Sequence, residues 1–171
     1  MDIAAHYLDD IRIQFRKYKE LAEKAIAQIS DDDLLRAVDE ESNSLAIIMR
    51  HVAGNLRSRF TDFLTSDGEK PDRDRDSEFE IPEGTTRETI MARWDLGFSR
   101  LLGAVDALTL EDLGRTVYIR GEAHTVVQAL DRAVTHLAYH VGQIVFLAKH
   151  LRGSQWRTLS MPKRGTAARK R

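Results

Sequence analysis

Three histidines stand where helical periodicity demands apolar side chains. His136 and His140 lie in the run AVTHLAYHVGQIVFLAKH, and His51 sits between Ile47, Ile48 and Val52. The i, i+4 spacing of the first two stacks both imidazoles on one helix face, about one turn apart. Two neutral imidazoles placed that way can share a cation, and burying them without partners is costly. Three inward histidines from two helices can converge on one divalent ion. Three protein ligands leave coordination positions open, the arrangement of a catalytic rather than a closed structural site. The competing reading makes each a hydrogen-bonded core residue. His6, His124 and His150 share no face with the three and read as structural or surface groups. The chain has no cysteine. Disulfides, thiolate zinc sites and a cysteine nucleophile are therefore excluded. Imidazoles completed by water suit zinc, nickel, iron or manganese. The expected cofactor is one divalent ion of this group on His51, His136 and His140.

Polar residues flank these positions. Asn55 lies one turn beyond His51 on the same face, and Arg59 and Asp62 follow. Arg59 and Asp62 are three apart and can pair, anchoring the loop that follows; alternatively Asn55 and Arg59 position a substrate. Gln143, Tyr118 and Tyr139 are further candidates to support the ligands or face a substrate. The run DRDRD at 72–76 reads as a solvated or self-paired loop rather than a ligand cage.

Four long helical segments must carry these groups. The first, about Ile3–Ile29, has the stripe Tyr7, Leu8, Ile11, Phe15, Tyr18, Ala22, Ala25, Ile26 and Ile29. Ser30 then caps a short turn begun by Asp31, Asp32 and Asp33. The second runs from about Ser44 to Leu64 with Asn43 as its expected cap. The loop 66–84, SDGEKPDRDRDSEFEIPEG, is long for a compact domain. Thr85 with Glu88 has the capping-box pattern for the third helix. An extended excursion from Arg115 to His124 turns at Gly121. Thr125 opens the fourth helix, which ends near Arg152 with Gly153 as its stop. The fold class read from this pattern is all-α, an antiparallel four-helix bundle with a long loop between helices 2 and 3.

A chain of 171 residues, 42% apolar and 31% charged, suits one globular core. The net charge of −1 is uneven. Seven basic residues and no acids follow Leu151, so the body carries 19 basic and 27 acidic residues, a net of −8. We therefore divide the chain into a bundle, 1–153, and a basic tail, 154–171. The acidic body argues against nucleic acid as a partner. No apolar run approaches membrane-spanning length, and MDIAAHYLDD lacks the basic start and apolar run of a signal peptide. The expected location is the cytoplasm.

The segments around His51 and from His136 to Gln143 resemble the DinB-like superfamily, which includes the YfiT-type metal hydrolases. Its pattern is a histidine on the second helix and an HxxxH pair on the last, matching His51, His136 and His140 and the H-x-G-Q-I run from His140 to Ile144. Further matches point to an uncharacterised branch: Asn43-Ser44, GNLRSRFTDFLTSDGEKP at 54–71, Arg75-Asp76 with Glu78-Phe79, and WRTLSMPKRG at 156–165. Phe60 stands where that branch often has tryptophan, and Asp72 where an aromatic is common. The resemblance implies a DinB-like bundle, a divalent metal on the three histidines and a homodimer. It also implies a metal-dependent enzyme, such as a thiol-dependent S-transferase using a low-molecular-weight thiol, or a hydrolase. The alternative is a non-catalytic divalent-metal or small-ligand binding protein, possibly stress-related. The first and third helices carry apolar residues beside their main stripes, Leu34, Leu35, Phe98 and Leu108 among them, and these are the expected dimer contacts.

Overall fold

The computed structural model describes residues 2–161. The chain folds mostly into helices, with one small hairpin. The helices are α1 (Ile3–Ile26), α2 (Asp31–Leu35), α3 (Leu45–Phe60), α4 (Arg87–Asp106) and α5 (Val126–Arg152). The hairpin strands are β1 (Thr116–Ile119) and β2 (Glu122–Thr125). Helix α3 packs chiefly on α4, and α1 on α5, with further α1–α4 and α3–α5 contacts closing one core. The expected α1 stripe is buried from Leu8 through Ile29, and Phe15, Trp94, Phe98 and Leu137 are fully enclosed. Among the described residues no helix is long and apolar enough to cross a membrane.

Local chemistry sets the helix ends, in two places one residue from the expected position. Ser30 caps α2 as expected, its hydroxyl accepting from the Asp33 N–H. Helix α3 is capped by Ser44, not Asn43, the Ser44 hydroxyl accepting from the Ile47 N–H. Thr86, not Thr85, caps α4: Thr86 and Thr89 form the reciprocal box, while Thr85 donates its hydroxyl to the Pro82 carbonyl. Helix α3 stops at Phe60 rather than Leu64, because Thr61 is extended and Asp62 turns left-handed at φ 48°. Aspartate tolerates that conformation better than most residues.

The extended excursion is a two-residue hairpin. Arg120 and Gly121, at φ 56° and 77°, supply the paired positive dihedrals that match strand twist. The long loop is stitched to this hairpin and to α3. Asp67 accepts N–H bonds from Arg120 and Gly121 at 2.9 and 2.7 Å. The Gly68 N–H donates to the Tyr118 carbonyl, and the Ser58 hydroxyl donates to the Gly68 carbonyl. The start of the basic tail lies back on α1: Gln28 and the Arg157 backbone exchange two hydrogen bonds, and Trp156 and Leu159 pack on the core. The tail beyond Met161 lies outside the described residues.

The apolar residues expected to mediate dimerisation are mostly interior. Leu34, Phe98 and Leu108 are buried, and only Leu35 of that set reaches the surface. Helix α4 meets α3 at close range and buries Ile90, Trp94, Phe98 and Leu101, while Leu96 stays exposed. The approach is set by Gly97, where a Cβ would lie 2.7 Å from the Ala53 carbonyl oxygen. A methyl there cannot be accommodated without moving backbone, so Gly97→Ala should destabilise by about 1–3 kcal/mol. Gly103→Ala, on the same helix but facing open space, should be neutral or stabilising by about 0.5–1 kcal/mol. Thermal melts of the two variants check this.

Candidate metal centre

Helices α3 and α5 bring His51, His136 and His140 together. One ligand nitrogen from each lies within 4.8 Å of the others. The Nε2 atom of His136 is 3.3 Å from that of His51 and 3.2 Å from that of His140. The other face of two rings is occupied. His51 Nδ1 is 2.9 Å from Glu78 Oε2, and His140 Nδ1 is 2.8 Å from Gln143 Oε1. Both oxygens can only accept, so each Nδ1 carries the proton and each Nε2 presents a lone pair. Two lone pairs therefore aim at the third nitrogen. A cation among the three satisfies them together. With metal–nitrogen bonds of about 2.0–2.1 Å and tetrahedral angles, ligand nitrogens sit about 3.3 Å apart, and the spacing here fits.

His136 and His140 are biased toward the neutral form that can ligate a metal. His136 is pushed down to about 3, first by burial and then by the neighbouring His140 and His51. His140 is also lowered, chiefly by burial, against the opposing bond to Gln143.

Glu78 comes from the long loop, where the sequence alone assigns it no role in the site. A 3-10 turn over Asp76–Phe79 sets its carboxylate beneath His51 and lays Phe79 against the His51 ring, centroids 5.0 Å apart. Arg73 grips both Glu78 oxygens, at 2.8 and 2.9 Å. Burial opposes the Glu78 charge, but the bonds from His51 and Arg73 prevail and hold its carboxyl below the usual range. Glu69 extends the chain, meeting Arg73 at 3.3 Å, Arg59 at 2.9 Å and Arg120 at 3.0 Å. Arg59 thus anchors the loop through Glu69, and Asp62, its expected partner, is exposed at the turn. In the DRDRD run, Asp72 pairs with Arg57, and Asp74 caps the turn at Ser77. The available signals for Glu78 were its place in the matched loop and Gly54 on α3, where a Cβ would fall 2.1 Å from Glu78 Oε1.

Beside the triad opens a cavity of about 650 Å³. His51, His136, Asn55 and Arg59 line it, with Phe60, Phe63, Ala129 and Ala133 as apolar wall and Tyr118 and Tyr139 also on the lining. His140 and Gln143 stand outside that lining. Asn55 and Arg59 are thus placed to meet a ligand, whereas Gln143 orients His140. His6 and His150 are exposed, and His124 bonds the Glu122 carbonyl.

Replacing any one of His51, His136 or His140 by alanine should abolish stoichiometric metal content in elemental analysis. Gly54→Ala and Glu78→Gln, which disturb only what lies behind His51, should weaken metal affinity by about 10–100-fold. Glu78→Gln should also lower stability, because buried Arg73 then keeps only its longer contact to Glu69. Wild-type affinity in both would deny Glu78 that role.

The low His136 pKa has a consequence for the metal-free protein. Below about 6.5 the unfolded chain takes up a proton that the folded site refuses until about 3. Folding stability is therefore lost as pH falls through that window. Urea titrations of chelator-treated protein at pH 7 and 4.5 should show a smaller loss for His136→Leu than for wild type.

No curated protein matches the sequence. A family model described as "Protein of unknown function (DUF1572)" matches residues 2–165. With nearly its whole length matched, the chain belongs to the DUF1572 family.

Proposed function

We propose that the chain is a metal-dependent enzyme of the DinB-like superfamily, with α1, α3, α4 and α5 forming that superfamily's antiparallel four-helix bundle. In this reading His51, His136 and His140 hold one zinc, nickel, iron or manganese ion. The observation that carries it is the convergence of three Nε2 atoms at the edge of a cavity, two of the rings being held from behind. Among the described residues no carboxylate joins the cluster as a fourth ligand, which favours an open site over a closed structural one.

A divalent ion in that position supplies a Lewis acid that makes a bound thiol or water nucleophilic near neutral pH. The chain's own contribution is positional. Glu78 and Gln143 fix the ring orientations of His51 and His140, so ordering is complete before any ligand arrives. Phe60, Phe63, Ala129 and Ala133 exclude water from one side of the cavity. Asn55 offers an amide one turn from His51, able to hold a substrate polar group. The reaction class is transfer of a low-molecular-weight thiol to an electrophile, or hydrolysis. The absence of cysteine agrees with a thiol brought as substrate. We place this activity in a cytoplasmic homodimer whose catalytic unit is residues 1–153. Tyr139 and Phe146, seven apart and exposed on α5, suit a helix-face interface better than the interior Phe98.

The test is metal-loaded protein incubated with small thiols and a panel of electrophiles. Wild type should turn over at least one electrophile that metal-free His140→Ala leaves at the background rate, and Asn55→Ala should keep its metal while losing turnover. Equal rates across the panel leave S-transfer without support and turn the search to ester and amide hydrolysis.

A further inference from the structure

Five guanidinium groups line the cavity beside its apolar residues. Arg59, Arg73, Arg75, Arg120 and Arg132 line it, against Asp131 as the one acidic lining residue. Counting Glu69, Glu78 and Asp76 as well, all in contact with these arginines, one positive charge remains in excess. This happens in a body whose net charge is −8, so the positive lining is local rather than a reflection of composition.

The arginines are assembled by one carboxylate. Glu69 meets Arg59, Arg73 and Arg120 together. A carboxylate has about four acceptor sites, and three guanidinium groups present far more N–H donors than it can take. Arg59 is 8% exposed, and its buried Nη1 has Glu69 Oε2 as ion-pair partner at 2.9 Å, off hydrogen-bond alignment. Buried guanidinium donors that share one carboxylate in this way favour a further acceptor. Arg132 and Arg120 complete the ring from α5 and from the hairpin turn, and Arg132 has no ion-pair partner among the described residues.

We propose that this cavity binds a small organic anion, carrying a carboxylate or a phosphate, whose acidic group is held by Arg59, Arg120 and Arg132. Arginine forks match both anions in geometry. Arg59 lies eight residues beyond His51 on α3 and Arg132 four before His136 on α5, so their backbones stand about 12 and about 6 Å from the triad along the helices. The apolar strip of Phe60, Phe63, Ala129 and Ala133 receives the uncharged middle of the ligand. The inference rests on the enzymatic reading only in taking this anion as the substrate; the anion site itself is independent of the metal.

The experiment measures binding of benzoate, phenyl phosphate and the neutral benzamide to the full chain by calorimetry. It is run on metal-loaded wild type and on metal-free His140→Ala. One or both anions should bind at least about tenfold tighter than benzamide in both proteins, with affinity falling as salt rises. The tighter anion identifies the class. Arg120→Gln and Arg132→Gln, both at exposed positions, should each remove about tenfold of that preference with metal content unchanged. Arg36→Gln, remote on the surface after α2, should not. Benzamide binding as tightly as both anions overturns the proposal, and so does equal loss from Arg36→Gln. An anion preference present only in the metal-loaded protein overturns it too, since the ion and not the arginines would then be the anchor. A wild type that takes up no metal yet prefers the anions defeats the enzymatic reading and leaves the anion site standing.

Discussion

A buried carboxylate must be matched by positive charge and hydrogen bonds, and Glu78 is where this chain meets that requirement. Its two oxygens are shared between the His51 ring and the Arg73 fork. Removing a partner from such a group leaves an uncompensated buried charge, which costs far more than the intact pair contributes. The loop that delivers Glu78 is consequently not free to wander. Arg73 is tied onward to Glu69, and Glu69 to Arg59 on α3 and Arg120 on the hairpin. Histidine orientation, loop path and hairpin position are one connected charge network.

That network explains several features which look unrelated in isolation. Gly54 is required because the Glu78 carboxylate occupies the volume of a side chain. The hairpin exists beside the site because Asp67 accepts both backbone N–H groups of its turn, while Gly68 bonds its first strand. The layering of Arg75 on Phe79 and Phe79 on His51 continues the same contact outward. On the opposite side of the site the support is far simpler. Gln143 holds His140 from one turn away on the same helix. One histidine is thus positioned by local helix geometry and another by a loop folded back over 27 residues.

The two sides of the cavity divide the chemistry. Within the triad His136 and His140 resist protonation, burial being the first cause for both. Five arginines line the cavity beside the triad. Lowered imidazole basicity at one end thus stands against fixed positive charge at the other. The low interior dielectric strengthens both effects.

The sequence by itself determined the helices, the caps at Ser30 and Thr125, the turn at Gly121 and the inward face carrying His51, His136 and His140. These depend on periodicities of two and 3.6 residues and on short-range capping chemistry, which a linear chain displays openly. The Asn43/Ser44 and Thr85/Thr86 positions slipped by one because adjacent residues had equal cap chemistry and only backbone direction chose between them. Leu34, Phe98 and Leu108 read as surplus apolar residues, since periodicity gives the face of a helix but not how much of its circumference neighbours will cover. The roles of Glu69, Arg73 and Glu78 were decided by tertiary structure alone. In a loop rich in charges of both signs, every Asp or Glu can pair with several Arg residues. Which pairs become buried depends on where α3 and the hairpin place the loop. The cavity had no signature either, because its walls come from α3, the long loop, the hairpin and α5.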